Sequence, residues 1–341
     1  MLLSIVICNY NHARFLGAAI ASAMGQTYAN REVIVVDDGS TDESADVIRS
    51  WGAQISAIFQ RNQGQSAAYN RGFAAARGDV VIFLDSDDLL DPQVGQRVME
   101  AFRDPSVTKV HYRLKLMDSM SRPLGGCIPR RLSHGDLSGM LRSGIFYDSS
   151  PASGNAYRRS ALALLMPVPA PPGDPHAADL YVIQGCAMLG EVRALGPEPL
   201  GSYRIHGERA REQLLFANAR QKDPLLALSR YRCLQNWLVE RLGPAYRIPD
   251  DFVDFSNQKL VFADRIFSSE YREGVTVGSR YLVSQLARGI WRRPTSLAER
   301  VGLFGWAIAV LLLPRGIGRP LASYVCNPAS RGDGWMSSLV G

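Results

Sequence analysis

The residues most able to do chemistry sit in three short polar motifs. Asp85-Ser86-Asp87-Asp88 sets two carboxylates one residue apart, with a third beside them. On a turn, such a pair can reach one hard cation. Mg²⁺ and Mn²⁺ take oxygen ligands and commonly bind through one or two carboxylates plus substrate phosphates. A cation held there would neutralise charge building on a departing diphosphate. Asp-x-Asp on its own is common, and in isolation a solvated turn capping the next helix explains it as well. Asp37-Asp38-Gly39-Ser40 is the second motif. Its glycine suits a backbone that needs positive φ, and Asp37 could cap the helix that follows. Asn9-Tyr10-Asn11 is the third.

The elements around these motifs give them weight. Each motif ends a short, nearly continuous apolar run: Leu2–Cys8, Glu32–Val36 and Asp79–Leu84. Such runs fit strands buried on both faces. Ala53–Gln60 is a further strand candidate. Helical spacing is predicted over Ala13–Gly25, Glu43–Trp51 and Ser66–Arg77, and Asp91-Pro92 opens another helix, with proline in its first turn. Alternation of this kind means a parallel sheet covered by helices on both faces. Ligands then sit outside the carboxyl ends of the strands, where all three motifs stand.

Further along, Val107–Met117 reads as one strand and Ser121–Gly126 as a turn. Pro167–Pro175 holds five prolines and reads as a loop. Asp179–Leu189 is expected to be helical and Val192–Leu195 a short strand. Residues 209–285 look helical and amphipathic. Ser296-Leu297-Ala298-Glu299 has capping-box spacing and opens Val301–Leu313, a run apolar on all sides and stopped by Pro314. At 13 residues it is too short to span a bilayer, which needs about 20. It is either a core helix or a helix at the membrane interface flanked by Arg292, Arg293, Arg300, Arg315 and Arg319.

Composition narrows the class. The 341 residues suggest about two domains. The net charge of +6 comes mostly from the last 51 residues. That distribution does not fit a nucleic-acid footprint over a folded face, so no nucleic-acid partner is expected. It suits anionic lipid. Five scattered cysteines make neither a zinc site nor a disulfide framework, which points to reduced thiols and a cytoplasmic setting. MLLSIVICNYN lacks a basic n-region and a small-residue cleavage site, so no signal peptide is expected. No G-x-G-x-x-G follows the first strand, which argues against a dinucleotide-dependent oxidoreductase.

SIVICNYNHARFL, EVIVVDDGSTDES, NQGQSAAYNRGFAAARGD and VVIFLDSDD follow one another in this chain. Their order and spacing resemble the family 2 glycosyltransferases, an inverting group, over residues 3–206. The resemblance implies an α/β GT-A fold, Rossmann-like, with a mostly parallel sheet and helices on both faces. It implies a transferase domain at 1–208, with a nucleotide-binding half at 1–105 and an acceptor half at 106–208. A helical region would follow at 209–341. Asn9, Tyr10 and Asn11 would cradle the base, and Asp38, with Asp37 as neighbour, would accept a hydrogen bond from a uracil imide. Asn62 and Arg71 belong to the third nucleotide segment, where many members carry Arg at the position of Tyr69. Asp87 would hold the cation. Asp85, with Ser86 beside it, would contact ribose or bound water and support the metal. Gly154–Arg159 would lie beneath the donor sugar. Arg204 and His206 would reach the diphosphate.

Inversion needs a carboxylate base opposite the leaving group. Many members place it in an acidic pair just before a helix. Here Asp179 is the first choice, Asp174 the reserve and His176 the third. The implied activity is transfer from a nucleotide-diphosphate sugar, UDP-sugar ranked first, to a hydroxyl of a carbohydrate or lipid-linked acceptor. Mn²⁺ or Mg²⁺ is the implied cofactor, and bacterial cell-surface polysaccharide or glycoconjugate assembly the implied setting, with peripheral contact at the inner face of the membrane. A catalytically degenerate nucleotide-sugar or carbohydrate-binding protein is the alternative, because Ala177 stands where a partner acid is common.

Overall fold

The computed structural model describes residues 1–171, 174, 177–206, 224–267 and 279–328. Three apolar runs form the centre of a seven-stranded sheet. These are β1 (Leu3–Asn9), β2 (Arg31–Asp37) and β4 (Val80–Asp85), with β3 (Ser56–Phe59) at one edge. β1 to β4 are parallel, in the order β4-β1-β2-β3. β9 (Asn155–Arg158) runs antiparallel between β4 and β6 (Val107–His111), and β10 (Glu191–Ala194) closes the other edge beside β6.

Side chains alternate between the faces of this sheet. Ile5, Ile7, Val33, Val35, Ile82 and Leu84 pack beneath α1 (Ala13–Met24), α2 (Ser44–Ser50) and α4 (Val94–Ala101). Val6, Ile34, Val36, Val81 and Phe83 face α3 (Gln65–Ala75) and, beyond it, α6 (Arg159–Leu165) and α7 (Ala178–Ala187). α3 lies close on the sheet because Gly72 has no side chain. A Cβ there would stand 2.3 Å from the Val6 side chain. The register pairs Asn9 with Asp37 and Cys8 with Asp85, so the three polar motifs leave the sheet along one rim.

Two expectations are corrected here, one being Ser121–Gly126, read as a turn, which gives way to a strand from Pro123. Val107–Met117 is two strands in two sheets, not one strand. The chain turns out of the large sheet at Tyr112 and Arg113. There the Tyr112 N–H donates to Gly154 O and the Arg113 carbonyl accepts from Leu200 N–H. β7 (Leu114–Met117) then joins a second sheet with β5 (Leu89–Leu90), β8 (Pro123–Ile128) and β11 (Gly201–Arg204), in the order β5-β11-β7-β8. A short helix, α5 (Ser138–Arg142), follows β8.

The C-terminal part is helical: α8 (Pro224–Leu242), α9 (Phe255–Phe267), α10 (Ser279–Arg292), α11 (Leu297–Leu312) and α12 (Arg315–Cys326). Phe262, Leu286, Ile290, Ala307, Val310 and Ala322 form its own small core. The capping box forms: the Ser296 hydroxyl accepts from Glu299 N–H, and the Glu299 carboxylate accepts from Ser296 N–H. Glu299 also pairs with Arg131, which ties α11 to the first part of the chain. Among the described residues, no helix is long and apolar enough to cross a membrane.

Candidate active site

The first two motifs are knitted together. Asn9 Nδ2 donates to Asp37 Oδ1 (2.8 Å) and to the Ser40 hydroxyl (3.1 Å). Asp37 also accepts from the Ser40 hydroxyl and N–H. Asn11, at φ +56°, accepts from Thr41 N–H through its amide oxygen. These bonds hold the 9–11 loop against the 38–41 turn and leave the Tyr10 ring 47% exposed on the rim. Asp38 is 4% exposed, and its oxygens accept from Gln60 Nε2, Gln63 N–H and Gly64 N–H at 2.7–3.0 Å. Its carboxylate therefore builds the wall of the rim by fixing the 60–64 segment beside the place where the resemblance sets a uracil. Gly39, at φ +74°, lets Asn62 N approach within 2.6 Å of where a Cβ would stand. Asn62 and Arg71 are both exposed, and among the described residues Arg71 makes no hydrogen bond or ion pair with the acidic loop.

At the end of β4, the carboxylates crowd one another. Burial and the Asp87 charge push Asp85 well above the usual carboxylate range, and Asp179 adds to the shift. Burial likewise raises Asp88, helped by Asp87 and Asp85. Burial works on Asp87 in the same direction, but the His206 hydrogen bond and the nearby His12 outweigh it, and the Asp87 pKa falls. His206 Nε2 lies 2.6 Å from Asp87 Oδ2. The His12 ring stacks on His206 with centroids 5.8 Å apart, and His12 Nδ1 is 3.1 Å from the Ser86 hydroxyl. The loop thus gathers three carboxylates, met by His206 on one side and by the Arg204 guanidinium behind. Two adjacent carboxylates that face such crowding suit a divalent cation whose remaining ligands come from substrate phosphate. Among the described residues, no three His, Cys, Asp or Glu side chains form a complete metal-binding group.

Arg204 differs from its expected place. It is 1% exposed and lies behind the loop. Its Nε donates to the Asp87 carbonyl and its Nη1 to the Asp118 carbonyl and the Ser121 hydroxyl, while its backbone N–H donates to Asp88 Oδ1. Its guanidinium lies 4.4 Å over the Phe15 ring. The expected diphosphate contact is corrected to a positioning role, because these donors are already spent on protein oxygens. Arg204→Met should lower stability by about 3 kcal/mol, since it strands buried acceptors. Urea unfolding would measure the loss.

The residues expected on the acceptor side approach the same place. Asp179, in the first turn of α7, lines a cavity of about 320 Å³ with Tyr147, Ser149, Gln184, Tyr231 and Phe252. Burial raises its carboxyl pKa, while Leu180 N–H and the Arg230 charge act the other way. Asp174, the reserve base, is 3% exposed and held by Arg230 through two hydrogen bonds of 2.5 and 2.6 Å. That pairing corrects its standing, because both of its carboxylate oxygens are engaged by the Arg230 guanidinium. His176 lies outside the described residues. Gln184 Oε1 and the Tyr69 hydroxyl are buried with no protein partner among the described residues. The Tyr69 hydroxyl feels both Asp85 and Asp179, and its ring stacks 4.1 Å from Phe83. Gly154 and Asn155 lie at the start of β9, where Asn155 Nδ2 donates to the carbonyls of residues 150–152.

His12, Arg230, Tyr231 and Phe252 were not among the expected site residues. His12 directly follows the 9–11 motif and was open to notice as a titratable group on that loop. The others carry no local signal.

The family model for "Glycosyl transferase family 2" matches residues 4–161. An uncharacterized glycosyltransferase of Nostoc sp. is 39% identical over 232 residues, covering 65% of this chain and 70% of that protein. The chain belongs to glycosyltransferase family 2. A putative glycosyltransferase of Bacillus subtilis, EpsH, is 34% identical over 104 residues, 30% of each chain. The crystal structure of S. aureus TarS 1-349 in complex with UDP-GlcNAc superposes with a TM-score of 0.53 at 15% identity, covering 95% of this chain and 90% of that one. The fold of this glycosyltransferase is accordingly GT-A, followed by a helical region.

Proposed function

We propose that this glycosyltransferase transfers a sugar, with inversion, from a nucleotide diphosphate to an acceptor hydroxyl, and that UDP is the nucleotide. The observation that carries the reading is the meeting of two carboxylate sets from distant parts of the chain. The Asp85–Asp88 loop and Asp179 lie close enough for Asp179 to shift Asp85, and Asp179 opens on a cavity fit for an acceptor. Its volume falls at the low end for small-molecule sites, roughly 300–1,000 Å³.

Tyr10 would flank the base and the Asp38-braced segment would wall it. Asp87 and Asp85 would hold Mn²⁺ or Mg²⁺, which supplies charge neutralisation on phosphate oxygens. His206, with His12 behind it, orients Asp87. Asp179 takes the proton from the acceptor hydroxyl as that oxygen forms its bond to the anomeric carbon. The bond from that carbon to the phosphate oxygen breaks on the opposite face, and its electron pair leaves with the diphosphate. Buried, unpartnered Gln184 Oε1 would receive an acceptor hydroxyl. TarS, similar in fold, is described in complex with UDP-GlcNAc, which favours UDP among the nucleotides. Residues 1–208 would be the transfer unit, with 209–341 appended to it. A carbohydrate or lipid-linked acceptor at the inner face of the membrane fits a role in cell-surface glycoconjugate assembly.

A thermal-shift series of UDP-, dTDP- and GDP-sugars with and without Mn²⁺ tests the donor side. Ligand at a hundredfold excess over its Kd stabilises by about 2.7 kcal/mol. A UDP-sugar should raise the melting temperature, and only when Mn²⁺ is present. A shift that ignores the metal, or that follows another nucleotide, would refute the assignment.

A further inference from the structure

α11 has two apolar faces, and only one is used. Ala307 and Val310 point into the C-terminal core. Leu297, Val301, Ile308, Leu311 and Leu312 are 46–78% exposed. At 100° per residue all five fall within about 50° of one line along the helix. α12 lies alongside, tied by Trp306 Nε1 donating to the Leu321 carbonyl (3.0 Å). It adds Ile317 and Leu321, one turn apart and both exposed. Trp291, 62% exposed at the end of α10, has the Arg300 guanidinium over its ring. Isolated exposed aliphatic residues are ordinary, but a contiguous stripe marks a contact surface.

Charge decides what the contact is. From Arg300 to Pro328 the chain has no Asp, Glu or Lys, and its only charges are Arg300, Arg315 and Arg319. Arg315 and Arg319 are exposed and form no ion pair among the described residues. A symmetric contact between two copies would set this patch against itself and bring the same arginines together with no carboxylate to meet them. Spanning is excluded by length: the 16 residues of α11 reach about 24 Å, short of a hydrocarbon core of about 30 Å. An anionic lipid surface satisfies both halves of the patch, taking apolar side chains below the headgroups and arginines among them. Trp291 suits that boundary as well.

We propose that the outward face of α11, with Ile317 and Leu321 of α12, seats the protein flat on an anionic membrane surface. This deepens the membrane-face placement given above. The patch itself does not depend on the transfer chemistry.

The test is co-sedimentation of the full chain with vesicles of phosphatidylcholine alone, or of phosphatidylcholine with phosphatidylglycerol. Wild type should sediment with the anionic vesicles and stay largely in solution with the neutral ones. Val301→Ser/Ile308→Ser/Leu312→Ser should reduce binding at least tenfold. Arg315→Gln/Arg319→Gln should reduce it by roughly fivefold per arginine, or about 25-fold. Both variants change exposed side chains, so melting temperature and Mn²⁺-dependent donor shifts should match wild type. Equal binding to both vesicle types, binding to neither, or full binding by the triple-serine variant would overturn the proposal. So would a wild-type dimer that the serine variant splits, which would make the face a contact between copies. Release of nucleotide diphosphate from a soluble donor is read separately. Its loss in wild type would refute the transfer reading and leave the vesicle result standing.

Discussion

Asp179→Asn should cut kcat by 10²–10⁴, the range a positioned general base contributes, and leave donor affinity close to wild type. Asparagine keeps the size and the hydrogen bond from Leu180 N–H but cannot take a proton. The pH profile carries a sign that distinguishes this role from simple packing. A base works only when deprotonated, so kcat falls as pH drops through its pKa. Burial raises that pKa, so the acidic limb should lie above the usual range of an exposed aspartate, about 3.9. In Asp179→Asn this limb should vanish. A variant with wild-type turnover would remove Asp179 from the chemistry. Metal-dependent donor binding that yields no nucleotide diphosphate from the wild-type protein would instead support a binding protein without turnover.

Asp87→Asn should act on the donor side and at least as strongly. The substitution removes the ionised partner of His206 and one of the two carboxylates assigned to the cation. Titration calorimetry should show Mn²⁺ affinity in the presence of nucleotide falling by at least a hundredfold, with turnover falling in parallel. Chelation of wild type with EDTA should reproduce the loss, and added Mn²⁺ should restore wild type alone. His12→Ala should have a smaller effect, since His12 touches the loop through Ser86 and His206. Unchanged metal affinity in Asp87→Asn would show that the cation is held elsewhere.

Legibility in the sequence followed the physics of each element. β1, β2 and β4 are buried on both faces, so their apolar runs are continuous and their ends visible. β5 has two residues and β8 begins at a proline, with a burial pattern that does not alternate, so the second sheet had no readable signature. Val107–Met117 looked like one strand because the bend at Tyr112-Arg113 uses no glycine or proline. The acidic loop was readable because polar residues close an apolar strand. Arg204 was not, because phosphate and backbone carbonyl are both acceptors and a sequence cannot say which one a guanidinium meets. The protein bonds of Asp38 were equally hidden, because its carboxylate is answered by the backbone of residues 63 and 64, which a sequence does not place. Arg230 and Phe252 enter the cavity from more than forty residues beyond Asp179, a distance over which local pattern says nothing.

The Asp174–Arg230 pair bears on how such an enzyme could change its substrate. Arg230 belongs to α8, yet it braces the segment that leads into the helix bearing Asp179. A fragment stopped near residue 208 would keep the donor-facing rim but strand a buried acid next to the base. Drift in the appended helices could therefore retune which acceptor fits, while the nucleotide half stayed as it is.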